Sequence, residues 1–176
     1  SRRFANLLKA DGLARGDRVA VFLSQSLELP IAHLAAFRSG MISIPLFALF
    51  GEDALEFRLS NSEAKAIVTD EFGWEKLAKI RDRLPALKNV YVTGGKTPAG
   101  TKPFWSSLKA ASPDFATVDT SADDPALIIY TSGTTGNPKG ALHAHRVVLG
   151  HLPNVEMCHN FLPRPGDLMW TPADWA

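Results

Sequence analysis

The 176 residues contain a single cysteine, almost no net charge and no apolar run near the roughly twenty residues that cross a bilayer. One cysteine, Cys158, excludes an intramolecular disulfide. Its apolar, helix-like surroundings predict a buried structural thiol and point to a reducing cytoplasm. A formal net charge of +1 gives no electrostatic ground for nucleic acid or an anionic membrane as partner, so any positive potential must be local. The opening Ser1-Arg2-Arg3-Phe4 lacks the apolar core and cleavage site of a secretory signal. No initiator methionine precedes it, and the sequence stops after Trp170-Thr171-Pro172-Ala173-Asp174-Trp175-Ala176 without a turn or cap, which reads as a chain open at both ends. Two common phosphate fingerprints are missing as well. No G-x-G-x-x-G follows a predicted strand, and neither Lys96 nor Lys139 sits in a Walker A loop: Val90 stands where the first glycine before Gly95-Lys96-Thr97 belongs, and Lys139 is followed by Gly140 rather than Ser or Thr.

What is present is concentrated in Tyr130-Thr131-Ser132-Gly133-Thr134-Thr135-Gly136-Asn137-Pro138-Lys139-Gly140, directly after the apolar Ala126-Leu127-Ile128-Ile129. Glycines let backbone N–H groups approach an anion closely, Ser and Thr hydroxyls add hydrogen bonds, and the Lys139 ammonium adds a compact charge. Turn chemistry alone accounts for Ser, Gly, Asn and Pro, but it does not call for this density of hydroxyls together with a lysine. The segment therefore reads as a nucleotide-polyphosphate loop.

Around it the chain alternates. Helical spacing over 1–13, 27–38, 53–59, 74–84 and 105–110 is interleaved with short β-branched or aromatic runs at 18–23, 42–47, 66–69, 90–92 and 126–130. Strands separated by helices imply right-handed βαβ crossovers, hence an α/β fold: a mainly parallel sheet with flanking helices. Pro98, Gly100, Pro103, Ser112 and Pro113 punctuate a long surface connection over 93–124. Residues 143–160 are expected to be helical, with Pro153 kinking or interrupting the helix. In such a helix His143 and His145 point to different sides, which argues against a shared zinc ion. Asp123 and Asp124 read less as a metal pair than as a pair of which one caps the turn before Pro125.

The run T-S-G-T-T-G-x-P-K-G over 131–140 resembles the signature phosphate loop of the adenylate-forming (AMP-binding) superfamily of acyl-CoA synthetases, luciferases and peptide-synthetase adenylation domains. Two further segments support the resemblance: Asp17–Leu23 with Ala32–Gly40 and Ile44-Pro45-Leu46 upstream, and Trp170-Thr171-Pro172-Ala173-Asp174-Trp175, which is similar to the pocket motif of the acetyl- and medium-chain acyl-CoA synthetase branch. The resemblance implies part of the large N-terminal domain of an acyl-adenylate-forming enzyme. It implies a cytoplasmic ligase that activates a carboxylic acid with ATP and Mg2+ as acyl-AMP and passes the acyl group to coenzyme A. Thr131, Ser132, Gly133, Thr134, Thr135, Gly136 and Lys139 would hold the phosphates, with the hydroxyl of Thr134 or Thr135 helping to place magnesium. His143, Trp170, Asp174 and Trp175 would belong to the acyl pocket. The family's catalytic lysine lies in a small C-terminal domain with no counterpart here, so residues 1–176 are expected to be an incomplete adenylation domain, inactive alone. The reading from another class is a non-catalytic nucleotide-binding or interaction module derived from the same fold.

Overall fold

The computed structural model describes residues 1–131 and 136–170. The chain begins with helix α1 (Arg2–Ala10), strand β1 (Arg18–Phe22), helix α2 (Glu28–Arg38), strand β2 (Ile42–Leu46), helix α3 (Glu52–Asn61) and strand β3 (Ala66–Thr69). It continues through α4 (Glu71–Ile80), β4 (Asn89–Val92), β5 (Lys102–Pro103), α5 (Phe104–Ala110), β6 (Pro125–Thr131), β7 (Lys139–Ala144) and α6 (Arg146–Cys158). The strands form one sheet in the order β5-β4-β3-β1-β2-β6-β7. Every neighbouring pair is parallel except β6 with β7, which are antiparallel. The mainly parallel α/β sheet expected from the alternation is therefore present.

Side chains of β1 alternate between two apolar layers, because successive residues of a strand point to opposite faces. Val19 and Val21 join Phe4, Leu8, Ala32, Ala35, Tyr91 and Phe104 beneath α1, α2 and α5. Ala20 and Phe22 join Ile44, Leu55, Leu59, Ile67, Leu77 and Ile80 beneath α3 and α4. The buried Tyr91 hydroxyl donates to Asp11 Oδ2 at 2.5 Å. Burial, reinforced by that bond and the carboxylate charge, keeps the phenol protonated well above its ordinary range. The long connection over 93–124 is tied down by Asn6 Nδ2, which donates to the Ser112 and Asp114 carbonyls, and by Val118 N–H, which donates to the Arg38 carbonyl.

Some boundaries and two strands, β5 and β7, differ from the sequence expectation. Helix α4 starts at Glu71, earlier than expected, because the Asp70 carboxylate accepts from Gly73 N–H at 2.7 Å and caps its first turn. Residues 143–160 are not one helix. Lys139–Ala144 runs back along β6 as β7, and the helix begins only at Arg146. The segment has little intrinsic strand preference, and pairing with β6 imposes the conformation. Pro153 lies inside α6 without ending it, and none of that helix's residues is buried. Cys158 is consequently exposed, which corrects the buried-thiol expectation: the apolar pattern of the helix finds no layer to pack against among the described residues. Asp124 does close the turn before Pro125, accepting from Ser121 N–H at 2.7 Å.

Gly73 shows how closely α4 lies on the sheet. A methyl group at this position would sit 2.0 Å from Thr69 Oγ1 and 2.8 Å from the Phe22 ring. Intrinsic helix preference favours alanine over glycine by about 1 kcal/mol, whereas overpacking a core costs about 1–3 kcal/mol. Gly73→Ala is expected to lower the urea midpoint, and Thr69→Ala in the same chain to recover part of the loss. A midpoint that rises on Gly73→Ala would show that α4 is not pressed against β3.

His33, on α2, places Nδ1 2.6 Å from Oγ of the fully buried Ser43 on β2. Burial lowers the His33 pKa from 6.5 to about 4. The unfolded chain thus takes up the proton first as the pH falls. The stability contributed by the neutral ring is complete above about pH 6.5 and is lost toward pH 4, with a ceiling of about 3 kcal/mol. Urea midpoints at pH 7.5 and 4.5 should diverge more for the native chain than for His33→Gln; equal divergence would remove His33 as the cause.

Candidate functional site

Strand β6 is rich in β-branched and aromatic residues and joins the parallel sheet beside β2, with Leu127 opposite Ser43. Its C-terminal end lies on the edge where β1, β2 and β3 also end, the edge at which open α/β sheets usually bind ligands. The glycine- and hydroxyl-rich segment leaves from this end. It returns as β7, with Thr131 paired to Lys139 and Tyr130 to Gly140. Two candidate phosphate-binding residues far apart on an extended chain are thus neighbours at the mouth of one loop. Gly136, within it, has φ +101°, a conformation that glycine adopts without a Cβ penalty. Ser132, Gly133, Thr134 and Thr135 lie outside the described residues, as do Asp174 and Trp175.

The pleat sorts the remaining groups by face. Thr131, Ile129 and Leu127 pair with Lys139, Ala141 and His143, so these side chains share one face of the hairpin. Tyr130 and Ile128 occupy the other face and pack against the apolar layer beneath α3 and α4. Lys139 is exposed, and among the described residues no carboxylate forms an ion pair with it. His143 is on the same strand and the same face as Lys139, two pleats farther from the loop. Trp170 stands 81% exposed in the irregular segment that follows α6.

The back of the hairpin is more heavily built than its front. The Tyr130 hydroxyl donates to Asn61 Oδ1 at 2.8 Å and approaches the Arg58 carbonyl at 3.2 Å. Its ring meets Phe57 edge-on, with centroids 6.4 Å apart. Opposite lies Gly140, where a methyl group would come within 3.3 Å of the ring, so a bare Cα there makes room for it. Burial chiefly raises the Tyr130 pKa, while a hydrogen bond and the Arg58 charge oppose the rise. This half of the site is only weakly marked in the sequence. A hairpin signal was available in the Gly136-Asn137-Pro138 turn followed by alternating residues, but the apolar spacing after His143 masked it.

A cleft of about 670 Å3 opens between the first turns of α3 and α4, lined by Glu52, Asp53, Phe72, Glu75, Lys76 and Lys79. Among the described residues none of Thr131 and 136–140 lines it, and Lys79 is already paired with Glu52 at 2.7 Å, so the loop rather than the cleft is the candidate site. Among the described residues no group of three His, Cys, Asp or Glu side chains could hold a metal ion. No helix among them is long and apolar enough to cross a membrane.

Comparison with known proteins gives a consistent result. The profile of the family described as AMP-binding enzyme matches residues 1–176. The acetyl-coenzyme A synthetase of Syntrophobacter fumaroxidans is 36% identical over 189 residues, taking in 98% of this chain and 29% of that protein. Its counterpart in Bacillus subtilis is 37% identical over 179 residues, or 99% of this chain and 30% of the relative. Among solved structures, an acyl-CoA synthetase from Brucella canis superposes with a TM-score of 0.85 at 31% identity, covering 98% of this chain and 31% of that one. An anthranilate CoA ligase crystallised with anthranoyl-AMP shares the fold, with a TM-score of 0.83 at 24% identity over 88% of this chain and 30% of that one. The chain thus spans about three-tenths of the length of the curated relatives it matches.

Proposed function

Because the chain belongs to the AMP-binding enzyme family, we propose that it is the phosphate-loop portion of an ATP-dependent acyl-CoA synthetase, an incomplete adenylation domain of a longer ligase. In the proposed reaction a carboxylate oxygen attacks the α-phosphorus of ATP, the bond to the bridging oxygen breaks and pyrophosphate leaves. The thiol of coenzyme A then attacks the acyl carbonyl, gives up its proton and displaces AMP. The observation that carries the reading is the pairing of Thr131 with Lys139 across the mouth of a glycine- and hydroxyl-rich loop, with the ammonium unclaimed by any described carboxylate. Such transfers depend chiefly on positioning and on stabilising developing charge, which a loop of this kind supplies.

In this scheme Thr131, Ser132, Gly133, Thr134, Thr135, Gly136 and Lys139 hold the β- and γ-phosphates, and Lys139 steadies the departing pyrophosphate. A hydroxyl of Thr134 or Thr135 helps to place magnesium, which when bound supplies charge neutralisation at the phosphates. His143, Trp170, Asp174 and Trp175 are the proposed acyl-side residues. The names of the relatives favour a short acid such as acetate.

The test is acid-dependent pyrophosphate exchange by the complete polypeptide across a panel of carboxylates. Exchange with a short aliphatic acid supports the ligase; nucleotide binding without exchange supports the non-catalytic module. Residues 1–176 alone are expected to form no acyl-CoA, since they span only about three-tenths of the relatives' length. Thioester formation by the purified chain would require a complete set of catalytic groups within it.

Lys139→Ala separates the proposed role from a surface one. Losing a charge-assisted contact of about 1.5–3 kcal/mol slows adenylation roughly ten- to a hundredfold. Thioester formation from supplied acyl-AMP should barely change. Equal slowing of both half-reactions, or of neither, would reject the pyrophosphate role.

A further inference from the structure

Arg58 is a buried cation, only 8% exposed, without a carboxylate partner among the described residues. Nη1 donates to the Ala54 carbonyl one turn back at 2.8 Å, whereas Nε is buried with no partner. Two aromatic rings take the place of a counter-ion: the guanidinium carbon lies 4.0 Å from the centre of Phe50 and 5.6 Å from that of Tyr130. Burial lowers the pKa of the group. Leaving a charge without an ion pair is costly, and an apolar side chain of similar volume would fill the same space more cheaply. What an aliphatic residue cannot supply is a flat cation that fixes the orientation of facing rings.

The ring it fixes is the one next to the loop. Tyr130 adjoins Thr131, and the Tyr130–Gly140 and Thr131–Lys139 pairs close the hairpin mouth. Tyr130 is held at its rim by Asn61 and on its face by Arg58, both on α3. We infer that Arg58 is a positioning residue for the phosphate loop: by holding Tyr130 against α3 from behind, it fixes the hairpin register that brings Thr131 and Lys139 together in front. The inference rests on the reading of residues 131–140 as a polyphosphate loop. It assigns Arg58 no contact with nucleotide, since Tyr130 and Lys139 lie on opposite faces of the hairpin.

The test uses Arg58→Met in the complete polypeptide, which keeps the stem volume and removes the charged fork. Pyrophosphate exchange should show a KM for ATP raised about tenfold with the KM for the carboxylate unchanged, and Arg58→Lys should recover only part of the loss. Amide hydrogen exchange at Gly140, read without ligand, should quicken in Arg58→Met. A folded Arg58→Met with native KM for ATP and native Gly140 protection would overturn the role. If Arg58→Met does not fold, Tyr130→Phe serves instead: it removes the hydroxyl's contacts with Asn61 Oδ1 and the Arg58 carbonyl on α3 and should raise the KM for ATP about threefold. An unchanged KM there would again overturn the inference. A native protein with no ATP-dependent exchange at all would instead defeat the reading of the loop, and this proposal with it.

Discussion

A parallel sheet must be covered on both faces, and in this chain that requirement governs where almost everything else can go. Strands β1 and β3 are buried nearly along their whole length, so the helices on either side pack directly on them. The tight approach of Gly73 to Thr69 and Phe22 follows directly, as does the placement of His33 over Ser43. With both faces of the central strands β1 and β3 occupied, polar chemistry is pushed to their ends. The edge at which β1, β2, β3 and β6 terminate is left for loops, and the hydroxyl- and glycine-rich segment departs from it after Thr131. Catalytic potential in such a fold is a by-product of packing: the core consumes the faces and leaves the rim.

The sheet was legible in the sequence because its strands are short β-branched runs separated by helix-period segments, a contrast that survives without any tertiary information. Ala66–Thr69 has the bounds that its residues suggest, and Asn89–Val92 differs by one residue. The segment over 131–140 stands out in the sequence too, since its residue types are unusual together. What could not be read was the return strand. Lys139–Ala144 carries no strong preference of its own and becomes a strand only because β6 offers an open edge, a fact of topology rather than of local spelling. The same holds for Cys158. Its neighbours have an apolar pattern, but whether that pattern is buried depends on what packs against α6, and no residue of that helix is buried.

Arg58 was illegible for a different reason. As one more charged residue in the sequence E-D-A-L-E-F-R-L-S-N it reads as an exposed position on an amphipathic helix. Only the fold turns it inward against Phe50 and Tyr130, seventy-two positions from the latter. Residues that support a site from behind tend to look ordinary in one dimension, because their role is set by what lies across the packing layer. The hydroxyls and glycines of the loop are recognisable precursors of chemistry; the groups that hold it in register are not.

The hairpin that closes the loop also decides what ligand binding costs. A flexible segment whose two ends wander must give up loop-closure entropy before it can surround a phosphate chain. Here the ends are already joined through the Thr131–Lys139 and Tyr130–Gly140 pairs, and that closure is met once, when the protein folds. A ligand bound there, as proposed, would not have to bring the two ends together, and that part of the closure cost would not be taken from its contact energy.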